Sequence, residues 1–352
     1  MRAAWRFVLA GLVPSVLLIC GAVFVPGAAA GQKSPGYHQV ERVTLGGPGR
    51  WDYFEVQQST HRIFIPRGTH MMILNPEGKL LEDIKGLEGT HGIVFAPKLK
   101  RAFTTNGDAK SVTIFNTDTL KPIQTVNLVD RAPDGILYDP ASQRVFTFND
   151  DPATDSTAID ARTGKVLGKI QLPDKAETAQ ADGMGHVFVN IEDKAELTEF
   201  NSRTLKVMHT WSLAPCKIPT GQSIDLVHKR LFVGCRSGIL AVVNYTNGKV
   251  VATWPIGKGV DATRYDPETK LVFASCGDGT ITVAHQDSAD KYTTVQTITT
   301  EVGARTMALD EGNHNIYTVT SNFGPPPPAT KDEPHPRPTV ISSTFRFLAY
   351  SR

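Results

Sequence analysis

The stretch 101–128, RAFTTNGDAKSVTIFNTDTLKPIQTVNL, contains three short segments of strand-like sequence that are separated by turns. The first has an aromatic residue, Phe103, inside an apolar run that follows a basic residue. The second covers residues 112–115 and ends at Asn116, where a turn leads to the third over residues 123–128. Asn side chains bond their own backbone in tight turns, and short β-branched runs between such turns predict antiparallel strands.

This pattern recurs along the chain at a regular spacing. Seven segments have a central aromatic residue, and consecutive aromatics are 39 to 44 residues apart: Phe64, Phe103, Phe146, Phe188, Phe232, Phe273 and Tyr317. A further strand-like run precedes each aromatic segment, as at residues 135–138, so each repeat has four strands. Four short strands in about 40 residues is the pattern of a propeller blade. We therefore predict one all-β domain over residues 31–352, a seven-bladed β-propeller with four-stranded antiparallel blades.

The two ends of the chain predict how the propeller closes. The last repeat has no fourth strand before Arg352, whereas residues 40–45 have the sequence pattern of a fourth strand. We expect this N-terminal strand to pair with the segment that begins at Phe345 and so to close the last blade. Closure of this kind removes an open sheet edge.

Residues 1–30 have the features of a secretory signal peptide. Arg2 and Arg6 precede an apolar run over residues 7–25, and three alanines at 28–30 precede Gly31. Cleavage there would leave a periplasmic or extracellular protein without a transmembrane domain. Because the apolar run is long, the alternative is an uncleaved membrane anchor.

The overall charge does not point to a polyanionic partner. The 37 basic and 35 acidic residues give a formal charge of +2, and loss of Arg2 and Arg6 with the signal peptide would reduce it to 0. A near-neutral protein has no overall field that attracts nucleic acid or an anionic membrane. Any preference for an anion must therefore come from a local patch.

One such patch is predicted from the loops that lead into the first strand of each repeat. Every one of these loops has a basic residue or a histidine: Arg50, His91, Arg131, Lys175, Lys217, Lys258 and Arg305. Because propellers usually bind ligands at loops around the central channel, we predict a basic rim that binds an anion, such as single-stranded nucleic acid or an acidic metabolite. The alternative is solvated loop charge, partly neutralised by nearby acids, namely Asp52, Asp134, Glu177 and Asp261.

Two segments resemble a known repeat. Residues 105–106 and 112–119, TN and VTIFNTDT, are similar to the YVTN repeat of the YncE-like β-propeller family, and residues 316–320, IYTVT, are a looser match. The resemblance covers essentially the whole chain after the signal peptide and implies the propeller fold. It also implies an exported binding or surface protein, and a link of the family to DNA adds nucleic acid as a ligand to test. The matching residues belong to strands and turns, so the resemblance assigns no functional residue.

Three cysteines follow the signal segment. Cys216 lies in the loop before its repeat and Cys235 at the end of the aromatic strand of that repeat, positions that should share one face. An exported compartment permits disulfides, so we predict a Cys216–Cys235 bridge. Cys276 has the repeat position of Cys235 one repeat later, and we predict a buried thiol there.

Residues 324–338 contain four consecutive prolines and three more. Because proline cannot donate to a sheet ladder, we predict an extended loop between the second and third strands of the last repeat. It either covers the channel mouth or is a solvent-exposed insertion.

The sequence predicts neither a catalytic site nor a metal site or cofactor. The ten histidines are scattered, no GxSxG motif occurs, and the cysteines form no CxxC pair. The leading hypothesis is a monomeric exported propeller without catalysis that binds an anion, with a protein partner as a further expectation. One alternative is a propeller enzyme or redox accessory, lactonase-like or dehydrogenase-linked. Another is a cell-surface structural or interaction protein.

Overall fold

The computed structural model describes Met1 and residues 36–150, 154–331 and 336–352. The predicted signal peptide, apart from Met1, lies outside this part of the chain, as do Asp151–Pro152–Ala153 and residues 332–335 of the proline-rich loop. The described residues from 36 to 352 form one compact unit. Among the described residues, no helix is long and apolar enough to cross a lipid bilayer.

The described chain consists of β-strands and one short 3-10 helix, Pro97–Leu99. The strands of the first third are β1 (His38–Thr44), β2 (Glu55–Gln57), β3 (Arg62–Pro66), β4 (Gly68–Leu74), β5 (Leu80–Ala96), β6 (Arg101–Asn106), β7 (Ser111–Asn116) and β8 (Pro122–Asn127). Those of the middle third are β9 (Ala132–Asp139), β10 (Arg144–Asp150), β11 (Asp155–Asp160), β12 (Val166–Gln171), β13 (Ala176–Ala181), β14 (His186–Ile191), β15 (Glu196–Asn201) and β16 (Lys206–Ser212). The last are β17 (Pro219–Asp225), β18 (Arg230–Cys235), β19 (Ile239–Asn244), β20 (Lys249–Pro255), β21 (Val260–Asp266), β22 (Leu271–Cys276), β23 (Thr280–Ser288), β24 (Lys291–Thr299), β25 (Met307–Asp310), β26 (Asn315–Phe323) and β27 (Val340–Ser351).

These strands build antiparallel sheets that follow the repeats. Four sheets have four strands in chain order: β9 to β12, β13 to β16, β17 to β20, and β21 to β24. A fifth four-stranded sheet has the order β1-β27-β26-β25, and the remaining strands, β2 to β8, form one sheet of seven strands. The fold is therefore an all-β propeller with four-stranded antiparallel blades, as the repeats predict.

The number of separate four-stranded sheets differs from the prediction, because the structure has five and not seven. The physical reason lies in β5, which runs for 17 residues without a break. Its first part pairs with β4, for example His70 with Lys85, and its last part pairs with β6, for example Ile93 with Thr104. A loop separates consecutive repeats elsewhere, but here a continuous ladder joins the first two.

The first strands of successive repeats surround a central channel. In order, β2, the last part of β5, β9, β13, β17, β21 and β25 each lie beside the next, and β25 lies beside β2. This closed ring places the beginnings of the first strands at one end of the channel, which we call the mouth. The turns that follow the first strands lie at the opposite end.

The N-terminal strand pairs with the last strand of the chain. In β1 and β27, Arg42 is opposite Leu348, Val43 opposite Phe347, and Thr44 opposite Arg346. This confirms the predicted pairing of the N-terminal strand with the segment that begins at Phe345. Since β1 covers the outer edge of β27, that edge is not open to other chains.

The aromatic residues that define the repeats all belong to the core. Phe64, Phe103, Phe146, Phe188, Phe232, Phe273 and Tyr317 are each at most 2% exposed. Burial of such a side chain stabilises the fold by about 1.5–3 kcal/mol. The regular spacing of these aromatics in the sequence is therefore the spacing of one core position in each repeat.

The turns between third and fourth strands have the mechanism that the sequence predicts. The Asn116 carboxamide oxygen accepts hydrogen bonds from the backbone N–H groups of Asp118 and Thr119, at 2.9 and 2.8 Å. The Asp160 carboxylate accepts hydrogen bonds from the backbone N–H groups of Arg162 and Thr163 in the same way. These side chains fix the turn, which sets the register of the fourth strand.

A disulfide joins Cys216 and Cys235, whose Cα atoms are 5.5 Å apart. It is the pair that the sequence favours, and it ties the loop before β17 to the end of β18. Cys276 is a free and buried cysteine. The proline-rich loop lies between β26 and β27, which are the second and third strands of the last repeat.

Candidate functional site

A cavity of about 770 Å³ lies in the central channel. It is lined by residues of the first strands and by turn residues of the first two repeats, such as Thr60, Lys100 and Asp118. One part of its wall is apolar: Val56, Ile93, Val94, Phe95, Ile136, Leu137, Tyr138 and Ala179. A volume of roughly 300–1,000 Å³ with a mainly apolar wall is typical of small-molecule sites. The cavity therefore has the size and lining of a ligand site.

The polar part of the cavity wall contains one unsatisfied group. Gln222 is 1% exposed, and its amide nitrogen donates to the Asn190 carboxamide oxygen at 3.0 Å. The Gln222 oxygen, Oε1, is buried and has no hydrogen-bond partner. Because a buried polar atom without a partner costs free energy, this oxygen is suited to accept a hydrogen bond from a ligand.

An ion pair crosses the same cavity wall. Arg264 of β21 donates to the Glu55 carboxylate of β2, and both residues line the cavity. Burial raises the pKa of Glu55, and the Arg264 charge opposes this shift without cancelling it. The pair places one positive and one negative group at the cavity wall without a net charge.

A hydrogen bond that spans the channel forms the boundary of the cavity on the side of the mouth. The Tyr53 hydroxyl donates to Glu177 Oε1 at 2.5 Å, although β2 and β13 are three places apart in the ring of first strands. Burial, followed by the charges of Asp134 and Glu192, raises the pKa of Glu177 well above its usual range. Burial and the Glu177 charge likewise raise the pKa of Tyr53. Tyr53 also lines the cavity, so this bond lies between the cavity and the charged residues of the mouth.

Charged side chains of both signs cluster at the mouth. We call this set the mouth cluster; it consists of six acidic residues, Asp52, Asp134, Asp150, Glu177, Glu192 and Asp261, and four basic ones, His91, Lys175, Arg236 and Arg305. Acidic groups outnumber basic groups in it. The cluster is therefore not a basic ring.

Five contacts link part of the mouth cluster into a chain of ion pairs. Arg305 contacts Asp261 at 2.5 Å, and Asp261 also contacts Arg236 at 3.0 Å. Glu192 joins Arg236 at 2.9 Å to Lys175 at 3.4 Å, and Lys175 reaches Asp150 at 3.6 Å. Burial alone would lower the pKa of Lys175, but the carboxylates of Glu177, Asp150 and Glu192 raise it. The residues of this chain lie within or beside strands of five different sheets.

His91 lies between two carboxylates of neighbouring repeats. Its Nδ1 atom is 3.0 Å from Asp52 Oδ2 and 3.3 Å from Asp134 Oδ1. Burial lowers the pKa of His91, but the hydrogen bond to Asp52 and the charge of Asp134 outweigh burial and raise it to about 9. Burial, then the Asp52 charge, raises the pKa of Asp134 to about 7. These three side chains have the atom types and spacing that could hold a metal ion.

The seven residues of the predicted basic rim have different surroundings. His91, Lys175 and Arg305 belong to the mouth cluster, and Arg131 forms an ion pair with Asp155 at 2.8 Å. Arg50 donates to the Pro338 carbonyl oxygen at 3.0 Å, so it contacts the proline-rich loop. Lys217 and Lys258 are exposed, and neither forms an ion pair within the described residues.

Most residues of the mouth cluster have a sequence signal that a search for basic residues in the loops before the first strands misses. Twelve residues before the repeat aromatic, five of the seven repeats have a charged or titratable residue: Asp52, His91, Asp134, Asp261 and Arg305. Four residues after the aromatic are Asp150, Glu192 and Arg236. Counting from the aromatic at these two distances identifies eight of the ten residues of the mouth cluster, all except Lys175 and Glu177, whereas counting basic residues alone misses the acidic members.

Comparison with known proteins gives a partial similarity. No protein-family model matches the chain. The chain is 24% identical over 149 residues to two curated relatives, each named "Uncharacterized protein YncE", from Salmonella typhi and from Salmonella typhimurium strain LT2. The match covers 41% of this chain and 41% of each relative, so the chain spans about two fifths of the relatives' length in these alignments. This similarity supports a YncE-like propeller over the matched part.

Proposed function

We propose that the protein is an exported ligand-binding propeller, and that it holds a small amphipathic molecule in the cavity of its central channel. The observation that carries the proposal is the cavity itself, with its apolar wall and the unsatisfied oxygen of Gln222. The ligand needs an apolar body to cover Ile93, Phe95 and Ile136, and an N–H or O–H group to donate to Gln222. Its net charge is small, because Glu55 and Arg264 balance each other.

Replacement of Gln222 by methionine tests this proposal, since methionine has a similar volume but does not supply the carbonyl oxygen. Small aromatic amides and alcohols are screened against the wild-type protein by ligand-detected NMR. We expect cavity ligands whose affinity falls about tenfold in Gln222→Met, which corresponds to the loss of one buried hydrogen bond. The control is Gln124→Met, an exposed glutamine of β8 that does not line the cavity. Ligands that bind both variants equally would contradict a site at Gln222.

We also propose seven repeating units around the channel and export by residues 1–30. In this proposal the seven-stranded sheet acts as two blades that share β5, because the two parts of β5 pair with different strands. The Cys216–Cys235 disulfide is the kind of bond that oxidising compartments maintain. The mass of the protein recovered from the periplasm or the medium of an expressing bacterium tests export. It should match a monomer that begins near Gly31, and an intact Met1 would argue for the membrane anchor.

A second candidate function is binding of a polyanion at the mouth, and it is favoured by Lys217 and Lys258. These lysines are exposed in neighbouring repeats and lack a carboxylate partner within the described part of the chain. Binding of single-stranded DNA would weaken steeply as salt rises, because bound phosphates release counterions. We expect the double change Lys217→Gln, Lys258→Gln to reduce this binding. The control is Lys229→Gln, Lys270→Gln, which removes two exposed lysines of the same repeats at the opposite channel end. Equal loss in both double variants would argue against a site at the mouth.

A further inference from the structure

We propose that Asp52, His91 and Asp134 form a binding site for a divalent transition-metal ion such as Zn²⁺ at the mouth of the channel. The three potential ligand atoms lie within 4.8 Å of one another. The inference is independent of the cavity and of the ligand proposed for it.

The fold brings these residues together from three consecutive repeats. Each lies twelve residues before its repeat aromatic, so each occupies the same position relative to the channel. Asp52 precedes β2, His91 belongs to β5, and Asp134 belongs to β9, and these strands are neighbours in the ring. The residues are 39 and 43 positions apart in sequence, which is why no local motif indicates the site.

The distances suit a small tetrahedral ion. Zn²⁺ binds imidazole nitrogen and carboxylate oxygen at about 2.0–2.2 Å, so two ligand atoms on one tetrahedral ion are about 3.3–3.5 Å apart. His91 Nδ1 is 3.0 Å from the Asp52 oxygen and 3.3 Å from the Asp134 oxygen. Three protein ligands leave one position for water, and His91 is 37% exposed on its side chain. The two distances from His91 are close to this spacing, and the two carboxylate oxygens lie within 4.8 Å of each other.

Asp134 has an oxygen that accepts no hydrogen bond, although it faces His91 in the ion pair. Its Oδ1 atom is buried and has no hydrogen-bond partner, and this is the atom that faces His91. A metal ion bound here would be coordinated by this oxygen, since carboxylate oxygens are common metal ligands. Gly107 follows β6 in the same repeat as His91. A Cβ atom at Gly107 would lie 3.2 Å from His91 Nε2, tighter than usual, so glycine leaves room for the ring.

Two histidine–aspartate pairs that lie within single turns differ from this one. His228 contacts Asp225, and His186 contacts Asp182, each at 2.7 Å with one carboxylate. Asp225 and Asp182 also accept hydrogen bonds from backbone N–H groups of their own turns. Those aspartates therefore stabilise turns, whereas Asp134 and Asp52 face a shared imidazole from two different repeats.

Titration of the purified, chelator-treated protein with Zn²⁺ tests the inference. Calorimetry of the wild type, Asp134→Asn, His91→Gln and the control His228→Gln is compared, with thermal unfolding to verify that each variant is folded. We expect wild type and His228→Gln to bind one ion tightly. Loss of a ligand in Asp134→Asn or His91→Gln should weaken that binding at least about tenfold, because even second-shell changes have this effect.

A second measurement locates the ion. Anomalous diffraction at the zinc edge from crystals grown with Zn²⁺ should give a peak between Asp52, His91 and Asp134. Absence of Zn²⁺ binding by the wild type would overturn the inference. So would equal affinity in His91→Gln and His228→Gln, or an anomalous peak only at His228 or at other surface histidines.

Discussion

Arg67 is fully buried, and at the scale of single residues it shows how the loop after β1 is held. Its guanidinium donates to the carbonyl oxygens of Gly47, Pro48 and Gly49, each at 3.0 Å, and lies 3.4 Å above the Phe345 ring. Burial lowers the pKa of Arg67 to about 10, and the charge of Asp83 opposes this shift. Gly49 is required at this close approach, because its φ is +95° and a Cβ would lie 2.0 Å from the Arg67 carbonyl oxygen.

We expect Arg67→Met to destabilise the protein by at least about 3 kcal/mol, because several buried carbonyl groups lose their donor. Unfolding in urea, followed by circular dichroism, measures the change. Arg162→Met, at an exposed position in the turn after β11, is the control and should shift the free energy of unfolding by less than about 0.5 kcal/mol. An equal effect of both changes would mean that Arg67 does not hold the loop.

A pH-dependent contribution is expected from Asp225, which is 2% exposed. Burial alone would raise its pKa, but hydrogen bonds from the Gln286 side chain and from His228 lower it on balance. A carboxyl whose pKa is lower in the folded state stabilises the fold above its unfolded pKa of about 3.9, and this contribution is lost as pH falls through the folded value.

Asp225→Asn should therefore be less stable than wild type at pH 7 and should lose less stability on acidification below about pH 4. Urea unfolding at a series of pH values gives the two slopes. Asp193→Asn, an exposed aspartate, should keep the wild-type slope. Parallel curves for wild type and Asp225→Asn would contradict this assignment.

The repeat aromatics can be recognised in the sequence because each occupies the equivalent core position of its repeat. A buried position of this kind favours the same type of residue in every repeat. The site residues are harder to predict for a physical reason. Asp52, His91 and Arg305 share one position but differ in charge, because each has a different partner across the mouth. Selection by one sign of charge therefore predicts His91 and Arg305 as ligand-binding residues and treats Asp52 only as a neutralising neighbour.

At the scale of elements, β5 shows what strand-like patterns cannot predict. Strand-like segments and the turn residues between them predict where strands lie. They do not show whether the hydrogen-bonded sheet continues from one repeat to the next. Gly86 and Gly89 lie within β5 at positive φ, and β-bulges take up the change of direction between its two parts. The turns at Asn116 and Asp160 were predictable, since their side-chain hydrogen bonds involve only neighbouring residues.

The Cys216–Cys235 disulfide is the element-scale feature most directly tested. Both cysteines are buried, and 19 positions separate them. We expect the double variant Cys216→Ser, Cys235→Ser to lose roughly 3 kcal/mol of stability, as the chain-entropy estimate for a loop of this size gives. Reducing agent should lower the thermal midpoint of the wild type and leave that of the double variant unchanged. If reducing agent left the thermal midpoint of the wild type unchanged, the disulfide would not stabilise the fold.

At the scale of the whole molecule, the ion-pair chain of the mouth cluster joins separate sheets. Asp261 is 3% exposed and binds both Arg236 and Arg305, which follow β18 and precede β25. Asp261→Asn would leave two guanidinium groups without this carboxylate. We expect a loss of about 3 kcal/mol, the low end for a buried pair, because both arginines keep contact with water.

Urea unfolding measures this loss, and the matched control is Asp118→Asn, which removes the carboxylate of an exposed pair with Lys100. That change should alter the free energy of unfolding by less than about 1 kcal/mol. If Asp261→Asn were as mild as Asp118→Asn, the mouth cluster would not connect the sheets energetically.

The pairing of β1 with β27 also bears on the order in which the molecule is made. A ribosome delivers β1 first and β27 last, and roughly 300 residues separate the two halves of this ladder. Bringing such distant segments together costs about 5 kcal/mol of chain entropy, which only the finished ladder offsets. Until β27 is available, this blade cannot close, and the edge of β26 that β27 covers can pair with other chains. Association with other chains through an open strand edge is therefore most favoured in the period before β27 has joined the sheet.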